Sequence, residues 1–289
     1  MLSLYGKKTL NNDVEIPMLG YGTWQSPDDD FTATAVASAI MSGYRHIDCA
    51  AVYGNEKSVG RGIAEGLDQS GIERKSIFLT GKLWNDDRGY DETIAAFEKT
   101  LLDLQTDYLD MYLIHWPRPA AFHDNYIAKN AESWRAMESL LAEGRVRAIG
   151  ISNFLPHHID ELLTTAKVKP AINQIEFHPG CMQEDTAAYC EELDIALEGY
   201  SPLGCGRVFK VEKLTEIAAK YKKSVAQLCI RWSLQHGVVT IPKSVTRERL
   251  VDNAKVFDFE ISQADMEAID AVTPEQCPSS GNDPDHIEF

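Results

Sequence analysis

The sequence predicts an α/β fold, a (β/α)8 barrel (TIM barrel) that spans residues 1–289 as a single domain, with an N-terminal β-hairpin and an extra C-terminal helix and tail. Short segments rich in β-branched residues alternate with longer segments of helical periodicity, and eight such repeats fit the chain. A barrel of this kind typically takes ~250 residues, which leaves room for the hairpin and the tail. No linker or low-complexity run marks a second domain.

Eight apolar segments are predicted as short strands buried on both faces. They are residues 18–21, 46–49, 76–80, 108–114, 147–151, 171–177, 195–200 and 238–241. Apolar residues recur at helical spacing between most of them. The clearest predicted helices are 91–102, 131–142, 156–165, 184–193 and 211–221, and a last helix is predicted over 262–272. Residues 11–13 have the composition of a hairpin turn.

An open, doubly wound sheet is the structural alternative to the barrel. Such a sheet usually carries a glycine-rich fingerprint directly after its first strand. Here Gly20 and Gly22 lie at the end of the first predicted strand without a third glycine after them, and Gly60 and Gly62 fall inside a helical pattern. The glycine pattern therefore favours the barrel.

The composition limits the possible partners. The 289 residues carry a formal net charge of −16, with 44% hydrophobic and 25% charged residues, so binding to nucleic acid or to an anionic membrane surface is not expected. No apolar run approaches the ~20 residues of a membrane span. Six cysteines without a C-x-x-C pair are typical of free thiols in a reducing compartment. We expect a cytoplasmic protein, a monomer, that acts on a small molecule.

Four polar residues form the candidate catalytic group. Asp48, Lys82 and His115 lie at the ends of the second, third and fourth predicted strands, and Tyr53 lies in the loop after the second. The carboxyl ends of barrel strands carry the active site, and neighbouring strands are about 5 Å apart. We therefore expect the four side chains to converge.

This set suits proton donation to a carbonyl oxygen. A free phenol titrates near ~10, so we expect the Lys82 ammonium to lower the pKa of Tyr53 and Asp48 to keep Lys82 charged. His115 would orient the carbonyl by hydrogen bonding. Taken singly, each residue is more often structural, and only the shared position at strand ends favours catalysis. We expect the indole rings of Trp24, Trp84 and Trp116 to line the substrate pocket together with His115.

The chain resembles the aldo-keto reductases nearly from end to end. The resemblance is carried by Gly-Tyr-Gly-Thr-Trp at 20–24, by Thr-Gly-Lys-Leu-Trp at 80–84 and by Leu-Ile-His-Trp-Pro at 113–117. Further matching segments are 48–56, 150–154, 173–179, 200–203 and 241–244. The resemblance implies an NADPH-dependent reductase of aldehydes and ketones, similar to microbial reductases of aldehydes and diketo-sugar acids. It implies Tyr53 as the general acid, Asp48 and Lys82 as its activators and His115 as the residue that orients the substrate.

The resemblance also implies that the dinucleotide lies across the barrel mouth. Ser152, Asn153 and Gln174 would hold the nicotinamide carboxamide, and Tyr200 would stack on the ring. The remaining residues implied to contact the cofactor are Thr23, Trp24, Ser201, Leu203, Lys243, Ser244, Thr246, Arg249 and Asn253.

The segment 243–249, Lys-Ser-Val-Thr-Arg-Glu-Arg, supports that interpretation without any resemblance. Three cations and two hydroxyls stand within seven residues of an acidic chain. Arg and Lys suit phosphate recognition, and cations at a helix N-terminus oppose the helix dipole unless an anion binds there. The segment favours a bound phosphate, which the resemblance implies to be the 2′-phosphate of the cofactor, hence NADPH over NADH. A solvated first helical turn is the alternative.

Two other functions remain open. A metal-dependent hydrolase is disfavoured because no His-x-His pair follows a strand, and we expect no metal at the site. A barrel that binds NADPH for a regulatory or structural role, with little turnover, is the alternative of another class.

The sequence does not determine the substrate. The short tail after the last helix suggests an open pocket with broad aldehyde use, and Arg118 is either a carboxylate contact or a surface residue.

Overall fold

The computed structural model describes residues 2–289, and its architecture is the predicted barrel. The chain starts with a hairpin in which β1 (Lys7–Thr9) pairs antiparallel with β2 (Glu15–Pro17). The turn between them places Asp13 at a φ of 64°, a left-handed conformation that Asp tolerates. The predicted N-terminal hairpin is confirmed.

Eight parallel strands follow in chain order around the sheet, each hydrogen-bonded to the next. They are β3 (Tyr21–Gly22), β4 (His46–Asp48), β5 (Phe78–Leu83), β6 (Leu109–Ile114), β7 (Val146–Ser152), β8 (Ile172–Glu176), β9 (Ala196–Tyr200) and β10 (Val239–Thr240). The first and last strands also meet. Gly20 N–H donates to Thr240 O over 2.9 Å, and Thr240 N–H donates to Met18 O over 2.9 Å. These bonds close the barrel.

Ten α-helices accompany the strands in residues 2–289. They are α1 (Asp30–Met41), α2 (Glu56–Ser70), α3 (Tyr90–Leu104), α4 (Tyr126–Ala142), α5 (Pro156–Leu163), α6 (Glu184–Glu192), α7 (Glu212–Lys220), α8 (Val225–Gln235), α9 (Arg247–Ala254) and α10 (Gln263–Asp270). Over residues 2–289, no helix combines the length and the apolar character that a membrane crossing needs.

The glycines that could suggest a nucleotide loop serve helix packing. Gly60 and Gly62 lie inside α2, where a Cβ on Gly60 would come within 2.6 Å of Leu104 O and one on Gly62 would collide with Ala33 O. Only glycine allows α2 to pack this closely on its neighbours. The prediction that both glycines fall inside a helix is confirmed.

The element boundaries differ from the sequence prediction in two informative places. The third barrel strand runs to Leu83 rather than ending at Thr80, so Lys82 lies inside β5. A lysine in the sequence usually indicates that a strand is not buried. Here the buried Lys82 charge is compensated by the Asp48 carboxylate. Helix α4 starts at Tyr126, well before the predicted Ala131, because the polar first turns carry little apolar periodicity.

Candidate active site

A buried ion pair lies at the carboxyl ends of β4 and β5. The Lys82 Nζ donates to both carboxylate oxygens of Asp48, over 2.6 and 2.7 Å, and to Cys49 O over 3.1 Å. Lys82 is fully buried and Asp48 nearly so. Burial alone would lower the pKa of Lys82, but the Asp48 carboxylate outweighs it and raises that pKa above its ordinary value. Lys82 is therefore a fixed cation.

The phenol of Tyr53 reaches this cation from the loop after β4. Tyr53 ends a short 3₁₀ turn, Ala51–Tyr53, and its hydroxyl oxygen lies 3.3 Å from Lys82 Nζ. Burial is the largest effect and raises the pKa of Tyr53 to about 12, although Lys82 acts to lower it. Lys82 thus acts in the expected direction, but desolvation of a phenolate outweighs one nearby ammonium, so the net pKa of Tyr53 is raised rather than lowered.

His115 follows β6 directly and completes the group. Its ring lies edge-on to Tyr53, with centroids 5.8 Å apart, and edge-on to Trp84 at 5.2 Å. Burial, followed by the Lys82 charge, lowers the pKa of His115 well below its usual value, so the imidazole is neutral. Its carbonyl accepts a hydrogen bond from Asn153 Nδ2 over 3.0 Å, which fixes the backbone. The four predicted catalytic side chains are thus brought together.

Aromatic rings enclose the space in front of these residues. Trp116 is almost buried, Trp84 is half-buried and Trp24 is 46% exposed at the rim. The ring of Phe289 stacks on Trp84, with centroids 5.9 Å apart and planes 11° apart, and meets Trp116 edge-on at 5.5 Å. The tail therefore packs against two of the three indole rings that are predicted to line the substrate pocket, and the openness of that pocket stays a prediction.

The tail is held in this position by polar contacts. Phe289 O accepts hydrogen bonds from Asn85 Nδ2 over 3.1 Å and from Ala120 N–H over 3.3 Å. Asp285 lies 2.9 Å from His157 Nε2 and 3.0 Å from His158 Nε2. The tail therefore returns to the barrel mouth along a defined path.

Arg118 is engaged away from the substrate pocket. Its Nε donates to His123 O over 3.3 Å, and its guanidinium lies over the ring of Tyr126, 5.1 Å from the centroid. These contacts agree with a surface arginine rather than with a free carboxylate contact.

The residues implied to hold a nicotinamide carboxamide form one hydrogen-bonded group. Ser152 Oγ donates to Gln174 O over 2.9 Å, and Asn153 Nδ2 donates to Ser152 Oγ over 3.1 Å. Asn153, at a φ of 64°, accepts from the Tyr200 hydroxyl over 2.9 Å. The side chain of Asn153 is therefore bonded on both its oxygen and its nitrogen, and it fixes the Tyr200 ring.

Two other candidate cofactor residues, Thr23 and Trp24, differ in position. Thr23 is fully buried and its hydroxyl donates to Asp48 O over 2.9 Å, whereas Trp24 is exposed. Thr23 thus supports the strand end that carries Asp48. Ser201 and Leu203 lie half-buried in the segment that follows β9, and Ser201 adopts a φ of 49°.

A group of cations lies around the start of α9. Lys243, Thr246, Arg247 and Arg249 are exposed, and Thr246 is the N-cap residue of the helix. Within residues 2–289, none of these three cations forms a salt bridge with a carboxylate, although the chain carries an excess of acids. Unpaired cations beside helix N–H groups make an anion-binding surface. The neighbouring predicted residues Ser244 and Asn253 are buried.

One buried acid in this region is absent from the sequence prediction. Glu198 lies on β9, fully buried, and its Oε2 accepts from Gln174 Nε2 over 2.8 Å. Burial, followed by the Asp48 charge, raises the pKa of Glu198 to about 8. The sequence feature that could have identified this residue is a glutamate inside an apolar segment predicted as a strand. Phe289 gave no such signal, because nothing local marks a residue as a distant pocket wall.

Comparison with known proteins agrees with this geometry. Residues 18–274 match the Aldo/keto reductase family. The chain is 49% identical over 286 residues to the uncharacterized oxidoreductase YtbE and 48% identical over 287 residues to glyoxal reductase, both of Bacillus subtilis (strain 168), with 99% of each chain covered.

Solved structures give the same result. The aldo/keto reductase from Brucella melitensis superposes with a TM-score of 0.85 at 43% identity, covering 93% of this chain and 99% of the other. The family match spans most of the sequence and both relatives cover nearly all of it. The chain belongs to the aldo/keto reductase family and is an NAD(P)H-dependent oxidoreductase that acts on small carbonyl compounds.

Proposed function

We propose that the protein reduces small aldehydes to alcohols with NADPH and that Tyr53 is the general acid. The observation that carries the proposal is the convergence of the Tyr53 hydroxyl, the Lys82 ammonium and the neutral His115 ring at one aromatic-walled pocket. A phenol, a cation that stabilises its conjugate base and a neutral hydrogen-bonding ring are the groups that carbonyl reduction needs.

The site fits a phosphorylated nicotinamide dinucleotide. Lys243, Arg247 and Arg249 offer unpaired cations to a phosphate, which supports NADPH over NADH. The half-buried ring of Tyr200, held by Asn153, offers a flat face to the nicotinamide. When bound, the reduced nicotinamide supplies the hydride. The further residues proposed to hold the cofactor are Trp24, Ser152, Gln174, Ser201, Leu203, Ser244, Thr246 and Asn253, with Thr23 in support.

The protein's own residues manage the proton. With a pKa of about 12, Tyr53 keeps its hydroxyl proton at neutral pH and can donate it to the carbonyl oxygen. The phenolate that remains would lie beside Lys82, whose charge is fixed by Asp48. The Lys82 ammonium therefore stabilises the negative charge that develops on the Tyr53 oxygen during proton donation more than it stabilises the neutral phenol. This difference lowers the activation barrier of the reduction.

The pocket favours a small substrate. Phe289 packs on Trp84 and on Trp116, with ring centroids 5.9 and 5.5 Å apart, and His115 meets Trp84 edge-on at 5.2 Å. Large rings packed together on one side of the site suit a small aldehyde or a flat aromatic one. The similarity to a glyoxal reductase points to the same size class.

The decisive experiment follows the loss of reduced-nicotinamide absorbance with NADPH and with NADH. The substrates are glyoxal, methylglyoxal, an aromatic aldehyde, an aldose and a diketo-sugar acid. We expect turnover with NADPH on the small aldehydes first. NADPH binding without turnover on any of them would contradict the proposal and favour a barrel with a regulatory or structural role.

A further inference from the structure

Below the ion pair of Asp48 and Lys82, a second buried carboxyl occupies the barrel interior. Glu198 on β9 is fully enclosed, and the chemistry proposed above gives it no part. Burying a carboxyl lowers the stability of the fold, because burial disfavours its charged form and its oxygens need hydrogen-bond partners. Its contacts therefore indicate what it does.

Gln174 joins the two carboxyls. Its Nε2 donates to Asp48 Oδ2 over 2.9 Å and to Glu198 Oε2 over 2.8 Å. An amide nitrogen has two hydrogens, so both are used. A flipped amide would set its oxygen against the Asp48 carboxylate, so the contact with Asp48 fixes the orientation. The Gln174 oxygen consequently points away from both acids.

The charges around Glu198 argue for a proton on it. Lys82 and Asp48 already neutralise each other, and His46, 3.4 Å from Glu198 Oε1, stays neutral because burial lowers its pKa to about 3. From β10 on the other side, Val239 and Thr240 contribute no ionisable group. An ionised Glu198 would be an uncompensated buried charge.

We propose that Glu198 is a positioning residue which, as a neutral acid, holds the Gln174 amide and through it the Asp48 carboxylate. The proposal rests on the reductase function proposed above. With Glu198 neutral, the surroundings of Tyr53 carry one cation and one anion. Once Glu198 ionises, the added negative charge opposes the phenolate that proton donation leaves on Tyr53. Reduction should therefore slow as the pH rises past the ionisation of Glu198.

Two variants separate the hydrogen bond from the charge. Glu198→Gln keeps an acceptor for Gln174 and cannot ionise, whereas Glu198→Met has similar volume and no carboxyl. We expect Glu198→Met to lose roughly tenfold in kcat and to bind NADPH more weakly, since it strands one buried N–H. We expect Glu198→Gln to recover most of that loss and to keep its kcat above pH 8, where that of the parent protein falls.

A spectroscopic readout tests the proposal without turnover. In the cofactor-free protein at pH 7, the infrared carboxylic-acid C=O band should contain a component that disappears in Glu198→Gln and, in the parent protein, at alkaline pH. Identical bands in parent and variant would overturn the neutral state. Matching pH profiles for parent and Glu198→Gln, or equal activity and NADPH affinity in the two variants, would overturn the positioning role.

The two proposals fail in different ways. If the parent protein turns over no aldehyde, the reductase proposal fails, while the infrared band and the NADPH affinities still decide whether Glu198 is neutral and holds Gln174. If the parent turns over and Tyr53→Phe does not, but Glu198→Gln behaves as the parent at every pH, only the Glu198 proposal fails.

Discussion

The ring of Phe289 stacks on the indole of Trp84, with planes 11° apart, although the two residues are separated by most of the chain. The tail thus packs against a ring that we propose to line the substrate pocket. An aromatic pair of this kind contributes about 0.5–1.5 kcal/mol beyond the area that it buries.

Phe289→Ala should widen the pocket and weaken the binding of small aldehydes. We expect KM for glyoxal to rise about 3- to 10-fold, because the substrate would lose an apolar contact worth on the order of 1 kcal/mol, with a smaller change in kcat because Tyr53 is untouched. Phe31→Ala is the control, since Phe31 is an exposed phenylalanine of α1. Steady-state kinetics decide, and an unchanged KM would show that the ring does not touch substrate.

Tyr53→Phe should abolish most reduction and keep cofactor binding. General acid catalysis contributes about 10²–10⁴ in rate, so kcat should fall by that factor. Tyr112→Phe is a matched control, because the Tyr112 hydroxyl is buried without a hydrogen-bond partner in residues 2–289 and lies outside the proposed chemistry. NADPH affinity by fluorescence titration checks that the site is intact. Full activity in Tyr53→Phe would assign the acid elsewhere.

The sequence was sufficient for the barrel and for the convergence of the catalytic side chains, because both follow from periodicity and from the edge at which parallel strands end. It predicted that Lys82 lowers the pKa of Tyr53 but not that burial outweighs this effect, since desolvation depends on how completely other segments enclose the hydroxyl. It also failed on Phe289, whose contacts are set by tertiary structure. Glu198 could have been identified from the sequence, because it is an acid inside the apolar segment 195–200. Its hydrogen-bond partners could not be identified without the tertiary structure.

Removing one member of the buried ion pair should cost more stability than removing both. Asp48→Asn leaves the Lys82 ammonium enclosed with no counter-charge, and such losses cost about 3–5 kcal/mol. We expect the double variant Asp48→Asn/Lys82→Met to recover part of that free energy of unfolding. Urea denaturation measures it. A double variant as unstable as the sum of the single changes would mean that the pair is not coupled.

Lys243→Met and Arg249→Ala should each weaken NADPH far more than NADH. A charged hydrogen bond to phosphate is worth about 1.5–3 kcal/mol, so the NADPH dissociation constant should rise roughly tenfold or more. Lys213→Met, which removes an exposed cation of α7, is the control. Fluorescence titration with both cofactors at two salt concentrations is the measurement. Equal losses for NADPH and NADH would mean that the 2′-phosphate is read by other residues.

Stability should fall as the pH rises through the titration of Glu56. This acid of α2 is 5% exposed, and burial is the largest cause that raises its pKa to about 7 from the 4.5 of a free glutamate. Between those values the unfolded chain releases a proton that the folded protein keeps, so the unfolding free energy decreases over that interval and stays lower above it.

Glu56→Gln should remove that part of the pH dependence. We expect the variant to match the parent near pH 4.5 and to exceed it at pH 8 by up to about 3 kcal/mol, the free-energy equivalent of the shift. Glu65→Gln on the exposed face of α2 is the control and should leave the dependence intact. Urea denaturation of the three proteins at both pH values is the measurement, and parallel profiles for all three would show that Glu56 is already ionised in the folded state at neutral pH.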